Sequence, residues 1–244
     1  MLLRERFWLW GHPEGRYNNL YGNTKKSRTT PLEACMYLGI PNTFMVPVGV
    51  DVNRRQYNKS FKPLRQVGWE ASEAGINPEL IDDYIVEAAE FSNITCVVFD
   101  DFQQYLSDKQ IPVENLWRIR ERLHTNNVRA LKMWMVLYTH EFGFDKAKDE
   151  AFKCYIEPFD GIILWTWKEA DIIYFNEKFD IFKKLTPHNR RMIGCYLYNF
   201  GESKQATGKA VQWQLDRYRE LIFNKEAEGI VLHTNTMADL DYEA

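Results

Sequence analysis

The sequence predicts a single (β/α)8 barrel, an α/β TIM-barrel fold in which eight parallel strands alternate with helices. Eight short apolar or aromatic runs recur at a mean spacing of about 32 residues, which is the length of a βαβ unit. Several runs are apolar at consecutive positions, as strands buried on both faces are. Neither a GxGxxG turn nor a GxxxxGK[ST] loop occurs, which disfavours an open, doubly wound sheet.

The expected elements follow in chain order. The strand candidates are residues 7–10, 43–48, 66–69, 95–99, 132–138, 161–167, 192–198 and 229–233. The helical patterns between them cover residues 30–39, 77–90, 112–124, 144–155, 174–185 and 207–226, with a weaker pattern at 56–65. The first pattern is typical: Thr30 suits the N-cap, Pro31 the first turn and Gly39 the C-terminal stop.

The end of the chain departs from the eightfold pattern. Only TNTMADLDYEA follows the eighth run, so we expect the eighth helix to be short or missing, or the chain to end early. The groove between the seventh and first helices would then be exposed. Because no linker or shift in composition divides the sequence, residues 1–244 are expected to form one domain.

Composition excludes several function classes. The chain is 45% hydrophobic and 27% charged, with a net charge of −3, so it has a globular composition without the basic excess of a nucleic-acid binder. No apolar run reaches the ~18 residues of a membrane span. The first residues, MLLRERFWLWGHPEG, lack the apolar core and cleavage site of a secretory signal, so we expect none and no membrane partner.

The cysteines give a weaker indication. The four are Cys35, Cys96, Cys154 and Cys195, and no two are close enough for a CxxC zinc or redox motif. They are expected to be buried free thiols, which favours a reducing, cytoplasmic compartment. No cofactor is expected, and the oligomeric state cannot be predicted.

Aromatic residues are abundant, at 15% of the chain. Most should fill the core, and any excess suits a ligand site in which a flat apolar face meets a sugar or a base.

Active sites of such barrels lie at the carboxyl ends of the strands. The residues that follow the runs there are polar or aromatic, and five of the eight ends carry a carboxylate. The candidates are His12, Glu14, Glu70, Asp100, Asp101, Tyr138, His140, Glu141, Trp165, Trp167, Lys168, Tyr198, Asn199, Glu202 and His233.

The strongest candidate motif is CVVFDDFQQY, in which a buried strand ends directly in Asp100 and Asp101. Alternation directs one carboxyl into the mouth of the barrel and the other toward the surrounding loops. An apolar setting would raise the pKa of the first, as a general acid requires, while the other could cap a helix. A partner carboxyl could be Glu141, on the next strand, or Glu202, farther across.

Two indoles on the sixth run have the same parity. Trp165 and Trp167 could form a platform for a sugar or fill the barrel, and Trp167 is nearer the strand end. Lys168 could bind a hydroxyl or carboxylate or be solvated. Similarly, His140 could be a site residue or a buried core histidine.

The ordered motifs FWLWGHPEG, FDDF, WMVLYTHE, LWTWK and GCYLYNFG resemble those of uncharacterised bacterial proteins that are predicted to form barrels and are loosely related to glycoside hydrolases. The resemblance spans nearly the whole chain. It implies mouth residues at Asp100, Asp101, His140, Glu141, Trp167 and Lys168, with His12 and Tyr198 beside them. Those proteins continue through a final helix after the motif matching DLDYEA.

Three functional hypotheses follow. The first is a hydrolase acting on a carbohydrate, with Asp101 or Asp100 as the acid and Glu141 or Glu202 as nucleophile or base. The second is a metal-dependent epimerase or hydrolase using His12, Glu70, Asp101, His140 and His233, although no HxH or HExxH spacing supports it. The third is a barrel that binds a sugar or a protein without turnover.

Overall fold

Eight parallel strands close into a barrel in the computed structural model, which describes residues 2–243. The barrel strands are β1 (Phe7–Gly11), β2 (Asn42–Met45), β3 (Gln66–Glu70), β4 (Ile94–Phe99), β5 (Lys132–Tyr138), β6 (Gly161–Trp165), β7 (Arg190–Tyr196) and β10 (Gly229–His233). Each pairs with its neighbours in the chain, and β10 pairs with β1 to close the ring. A two-stranded antiparallel hairpin, β8 (Tyr198–Asn199) and β9 (Lys204–Gln205), follows β7.

The helices surround the barrel. They are α1 (Pro31–Leu38), α2 (Arg54–Ser60), α3 (Ile81–Glu90), α4 (Phe102–Lys109), α5 (Val113–Thr125), α6 (Lys146–Ile156), α7 (Phe175–Leu185) and α8 (Gly208–Phe223). As predicted, the Thr30 hydroxyl accepts the Glu33 N–H at the start of α1, and Gly39 adopts a left-handed conformation at its end. This conformation suits glycine, which has no Cβ to clash.

The predicted barrel is confirmed, with one helix that the sequence pattern does not show. Two helices follow β4, and the first, α4, buries only Phe102. A helix with so little apolar surface has no periodicity to detect.

The segment after β10 contains a 3-10 turn, Asn235–Met237, and no α-helix within the described residues. The described residues thus contain eight α-helices, two of them after β4 and none after β10. Residues of this segment cover part of the barrel, because Met237 and Leu240 are buried and the Asn235 amide donates to the carbonyls of His12 and Thr29.

Large aromatic side chains fill the barrel interior, where they pack against glycines. A Cβ added at Gly194 would overlap the Trp165 ring, and one at Gly161 would overlap the Trp134 ring. Much of the aromatic excess is therefore core, since Trp8, Trp10, Phe44, Trp134 and Trp165 belong to one buried cluster.

Three of the cysteines are buried free thiols, as predicted, but the prediction is wrong for Cys154, which is exposed. The buried residues of α6 are Phe152 and Ile156, one helical turn apart, so a side chain midway between them points to the opposite face. Within residues 2–243, no helix is long and apolar enough to cross a membrane.

The contact between Trp165 and Gly194 gives the first prediction. Gly194→Ala should lower the free energy of unfolding by about 3 kcal/mol, because the added methyl has no space beside the indole. Gly208→Ala is the matched control: it lies at the start of α8, where an added Cβ would first meet Glu243 at 3.2 Å, and it should change stability little.

Chemical denaturation measures both variants. Combining Gly194→Ala with Trp165→Phe should recover part of the loss, because the smaller ring makes room. A Gly194→Ala protein as stable as the parent would contradict this account of the interior.

Candidate functional site

A cavity of about 370 Å³ opens at the carboxyl end of the barrel. It lies above the aromatic interior, and side chains from seven strand ends, from the loop between β1 and α1 and from α4 line it. The lining residues are Trp10, Arg16, Tyr17, Tyr21, Val48, Asp100, Asp101, Gln104, Tyr138, His140, Glu141, Trp165, Trp167, Tyr196 and His233. We call this the mouth cavity.

The amino end of the barrel has a smaller cavity of about 130 Å³. Charged residues there form ion pairs: Arg65 pairs with Glu5 at 3.0 Å, and Arg190 pairs with Glu228 at 2.7 Å. Paired charges at this end of a TIM barrel are typical of a stabilising role.

Asp100 and Asp101 form the acidic wall of the mouth cavity. Asp100 continues the inward alternation of Cys96 and Val98 on β4, and its Oδ1 accepts the Asp101 N–H at 3.0 Å. Asp101 has a left-handed backbone (φ 43°) and its side chain makes no capping bond to α4. Instead, the Tyr138 hydroxyl donates to Asp101 Oδ1 at 2.7 Å.

Burial raises the pKa of Asp100 well above its usual range, and the negative charges of Asp101 and Glu70 raise it further. Glu70 is half-buried beneath this wall, and burial raises its pKa as well. Its Oε1 accepts the Ser72 N–H at 2.6 Å, and the Ser72 hydroxyl accepts the Asp100 N–H at 3.0 Å. Glu70 thus supports the wall from behind and does not line the cavity.

Glu141 adds a third carboxyl to the mouth cavity. Burial raises its pKa to about 7, against a weaker opposing effect of the Tyr138 N–H, which donates to Oε2 at 2.8 Å. The charge of Asp101 contributes a further increase. The charge of Asp101 therefore acts on the Glu141 carboxyl, as expected for residues that follow the neighbouring strands β4 and β5.

Aromatic rings make up the rest of the wall. Trp167 lies edge to face with Tyr138 and Tyr196, with centroids 6.1 and 5.6 Å apart. One face of its indole stacks on Phe200 at 6.2 Å. Trp165 lies deeper, fully buried against Tyr196 at 4.7 Å. The structure thus places Trp167 at the mouth and Trp165 in its floor.

Two neutral histidines lie beneath the cavity. His12 Nδ1 donates to the Val46 carbonyl at 2.7 Å, so its Nε2 carries a lone pair and accepts from His233 Nε2 at 3.3 Å. Burial lowers the pKa of His12 to about 3 and that of His233 well below its usual value. This assignment of protons leaves His233 Nδ1 as a buried acceptor without a partner among the described residues.

Several predicted site residues lie outside the mouth cavity. Glu14 and Lys168 are exposed. Glu202 accepts from the Asn199 amide at 2.6 Å and pairs with Lys204, contacts that lower its pKa. Tyr198 is buried and donates to the Tyr21 carbonyl. His140, by contrast, lines the cavity at its rim, where it is exposed and stacks on Tyr138 at 5.3 Å.

Other lining residues are absent from the sequence-based candidates. Tyr196 was missed because β7 ends there, two residues before the end of the predicted run. Tyr196 and Tyr198 are two residues apart, as Trp165 and Trp167 are, so the same parity argument could have identified Tyr196 as a mouth residue. Arg16, Tyr17 and Tyr21 belong to a long loop whose path no local pattern specifies.

The described residues contain no set of side chains that could bind a metal ion. Among residues 2–243, no group of three or more His, Cys, Asp or Glu side chains is placed to hold an ion. Of the five metal ligands considered from the sequence, His12 and His233 lie close together, but no third candidate ligand lies beside them.

Comparison with known proteins gives a fold relationship. No protein-family model and no curated protein sequence matches the chain. Among solved structures, active domain 2 of a chitinase from Pyrococcus furiosus has a TM-score of 0.59 at 12% identity, over 94% of this chain and 83% of that one.

Two further structures cover most of both chains. A GH99 endo-α-mannosidase from Bacteroides thetaiotaomicron has a TM-score of 0.54 at 8% identity, over 99% of this chain and 86% of that one. The tryptophan synthase α-subunit of Pyrococcus furiosus has a TM-score of 0.52 at 12% identity, over 98% and 90%. The chain therefore has the TIM-barrel fold that glycoside hydrolases share with enzymes of other chemistry.

Proposed function

We propose that the protein is a glycoside hydrolase-like enzyme that acts on a carbohydrate by carboxylate acid/base catalysis in the mouth cavity. One observation carries the proposal: Asp100, Asp101 and Glu141 line one cavity together with the Trp167 indole. Carboxyls with separated protonation states and an aromatic surface suit cleavage of a glycosidic bond. The chitinase and mannosidase neighbours are consistent with this reaction class.

Glu141 is our candidate for the general acid. A pKa of about 7 keeps much of its population protonated near neutral pH, and a general acid works best when its pKa is near the working pH. The protonated carboxyl would donate to the glycosidic oxygen as the bond breaks.

Asp101 is our candidate for the partner carboxyl. It lines the same cavity as Glu141, and the Tyr138 hydroxyl donates to its Oδ1 and so orients it. Asp101 would act as nucleophile or activate water. The sequence led us to expect Asp101 or Asp100 as the acid and Glu141 or Glu202 as the partner; we assign the acid to Glu141 because its pKa is raised to about 7.

Asp100 and Trp167 would bind the substrate. Asp100, whose pKa burial raises well above its usual range, would form a hydrogen bond with a sugar hydroxyl. Trp167 offers an apolar ring to the C–H face of a sugar. Glu202 has no role in this proposal, since it lies outside the cavity.

Substitution of the two reacting carboxyls tests the proposal. Asp101→Asn and Glu141→Gln should each lower kcat/KM by 10²–10⁴-fold, the usual contribution of acid/base groups. A panel of aryl glycosides and plant and microbial polysaccharides identifies the substrate of the parent, and initial rates then compare the variants.

Glu14→Gln and Glu202→Gln are the matched controls, because both carboxyls lie outside the mouth cavity, and they should retain parental rates. Turnover that survives both Asp101→Asn and Glu141→Gln would contradict the proposal. Binding of a glycan without turnover by the parent would favour the non-catalytic alternative.

The raised pKa of Glu141 also predicts a pH dependence of stability that needs no substrate. The folded protein holds this proton up to about pH 7, whereas an unfolded glutamate releases it near 4.5, so the free energy of unfolding falls as the pH rises between these values. Glu141→Gln should remove this contribution and stabilise the protein by about 2 kcal/mol at pH 8.

Urea denaturation at pH 4.5 and pH 8 measures the effect. The gain of Glu141→Gln over the parent should be larger at pH 8 than at pH 4.5, and Glu14→Gln should show no such difference. An equal effect of Glu141→Gln at both pH values would show that the carboxyl has an ordinary pKa.

A further inference from the structure

Arg16 brings a positive charge to the mouth cavity, which is otherwise lined by carboxyls and aromatic rings. It lies in the loop between β1 and α1 and is half-buried. Its Nε is fully buried and has no hydrogen-bond partner among the described residues. Arg16 plays no part in the acid/base chemistry proposed above.

The other half-buried arginines in residues 2–243 each donate at least one side-chain hydrogen bond, although Arg129 Nε, like that of Arg16, has no partner. Arg54 bonds to Glu87, Arg122 to Asp82, and Arg217 to Asn176 and Glu220. The remaining four, which bond to backbone carbonyls or carboxylates, are Arg6, Arg120, Arg129 and Arg191. Within that part of the chain, no ion pair or side-chain hydrogen bond involves Arg16, although burial of an unpaired charge is costly.

The cavity is electrically polarised. Arg16 follows β1, whereas Glu141 follows β5, on the opposite side of the eight-stranded ring. Tyr17 is close enough to both kinds of charge to respond to them: burial raises its pKa most, the Asp100 and Asp101 charges raise it further, and the Arg16 charge lowers it. The carboxyls of the acidic wall therefore share the cavity with Arg16 without pairing with it.

From this we propose that the mouth cavity binds a glycan that carries an anionic group, and that Arg16 receives that group. The inference rests on the proposed function and specifies its substrate class. A carboxylate or a sulfate ester would accept hydrogen bonds from the guanidinium, whose planar arrangement of N–H donors suits bidentate bonds to such groups. The same polarity would keep the anionic group away from Asp100 and Asp101, and so orient the sugar relative to Glu141.

Isothermal titration calorimetry of the full chain tests the inference separately from turnover. The carboxylate probes are oligomers of galacturonate, glucuronate and mannuronate, each with its carboxyl-reduced counterpart. The sulfate probes are oligomers of carrageenan, with their desulfated, neutral counterparts. We expect one of the two classes to bind at least 10-fold more tightly than its neutral counterparts, which also identifies the anionic group.

Substitutions then assign the effect to Arg16. Arg16→Gln should weaken binding of the anionic oligomer by 10–100-fold, since a hydrogen bond to a charged group contributes about 1.5–3 kcal/mol, and should leave the neutral counterpart little changed. Arg16→Lys should recover part of the loss. Arg28→Gln, which alters an exposed arginine of the same loop, should bind like the parent.

Three results would overturn the inference. Equal affinity of the parent for charged and neutral oligomers would do so and leave the proposed function standing, as would an Arg16→Gln protein that keeps the parental preference. Failure of the parent to bind any of these oligomers would overturn the inference, and the substrate panel of aryl glycosides and polysaccharides would then decide the proposed function separately. Thermal melting of each variant confirms that it is folded.

Discussion

The packing of large aromatic rings against glycines inside the barrel is the constraint on which the rest of the structure depends. Small barrels are filled by layers of side chains, and here the rings of Trp134 and Trp165 occupy space that Gly161 and Gly194 leave free. Because Trp10 and Trp165 also line the mouth cavity, the uppermost interior layer is the floor of the site. The core thus determines how deep the cavity is and buries the side chains at its base.

A buried, largely aromatic floor changes the chemistry of the carboxyls above it. Burial disfavours the charged forms of Asp100 and Glu141, and the charge of the neighbouring Asp101 disfavours them further, so the pKa values of both are raised. A carboxyl whose pKa is raised in the folded state lowers the free energy of unfolding as the pH increases.

Much of the fold could be predicted from the sequence, because buried parallel strands leave consecutive apolar runs of fixed spacing. Alternation likewise predicted that one of Asp100 and Asp101 points into the mouth and grouped Trp167 with it, since parity is a property of the strand itself. Both aspartates line the cavity, because Asp101 lies beyond the strand in a left-handed conformation to which strand alternation no longer applies. Helix α4 was not predicted, because a mostly polar helix shows little hydrophobic periodicity. The exposure of Cys154 was not predicted either, because Cys154 lies on the polar face of α6.

The remaining parts of the site depend on information that is not local. Glu202 and Tyr196 were misjudged for the same reason: β7 ends at Tyr196 and the chain then enters a hairpin, so residues counted as strand end lie beyond it. Arg16 and Tyr17 reach the cavity through a long loop that is held by contacts distant in sequence, among them Asn235 on Thr29 and Tyr198 on Tyr21. The electrostatic asymmetry of the site arises from such contacts.

The central claim is that burial at the mouth raises the pKa values of Asp100 and Glu141, and carboxyl ¹³C chemical shifts followed through a pH titration test it most directly. Asp100→Asn and Glu141→Gln proteins assign the two resonances. The account predicts that Glu141 titrates with a midpoint of about 7 and that Asp100 titrates well above the usual aspartate range. Midpoints near 4 for both groups, as in unperturbed side chains, would contradict it.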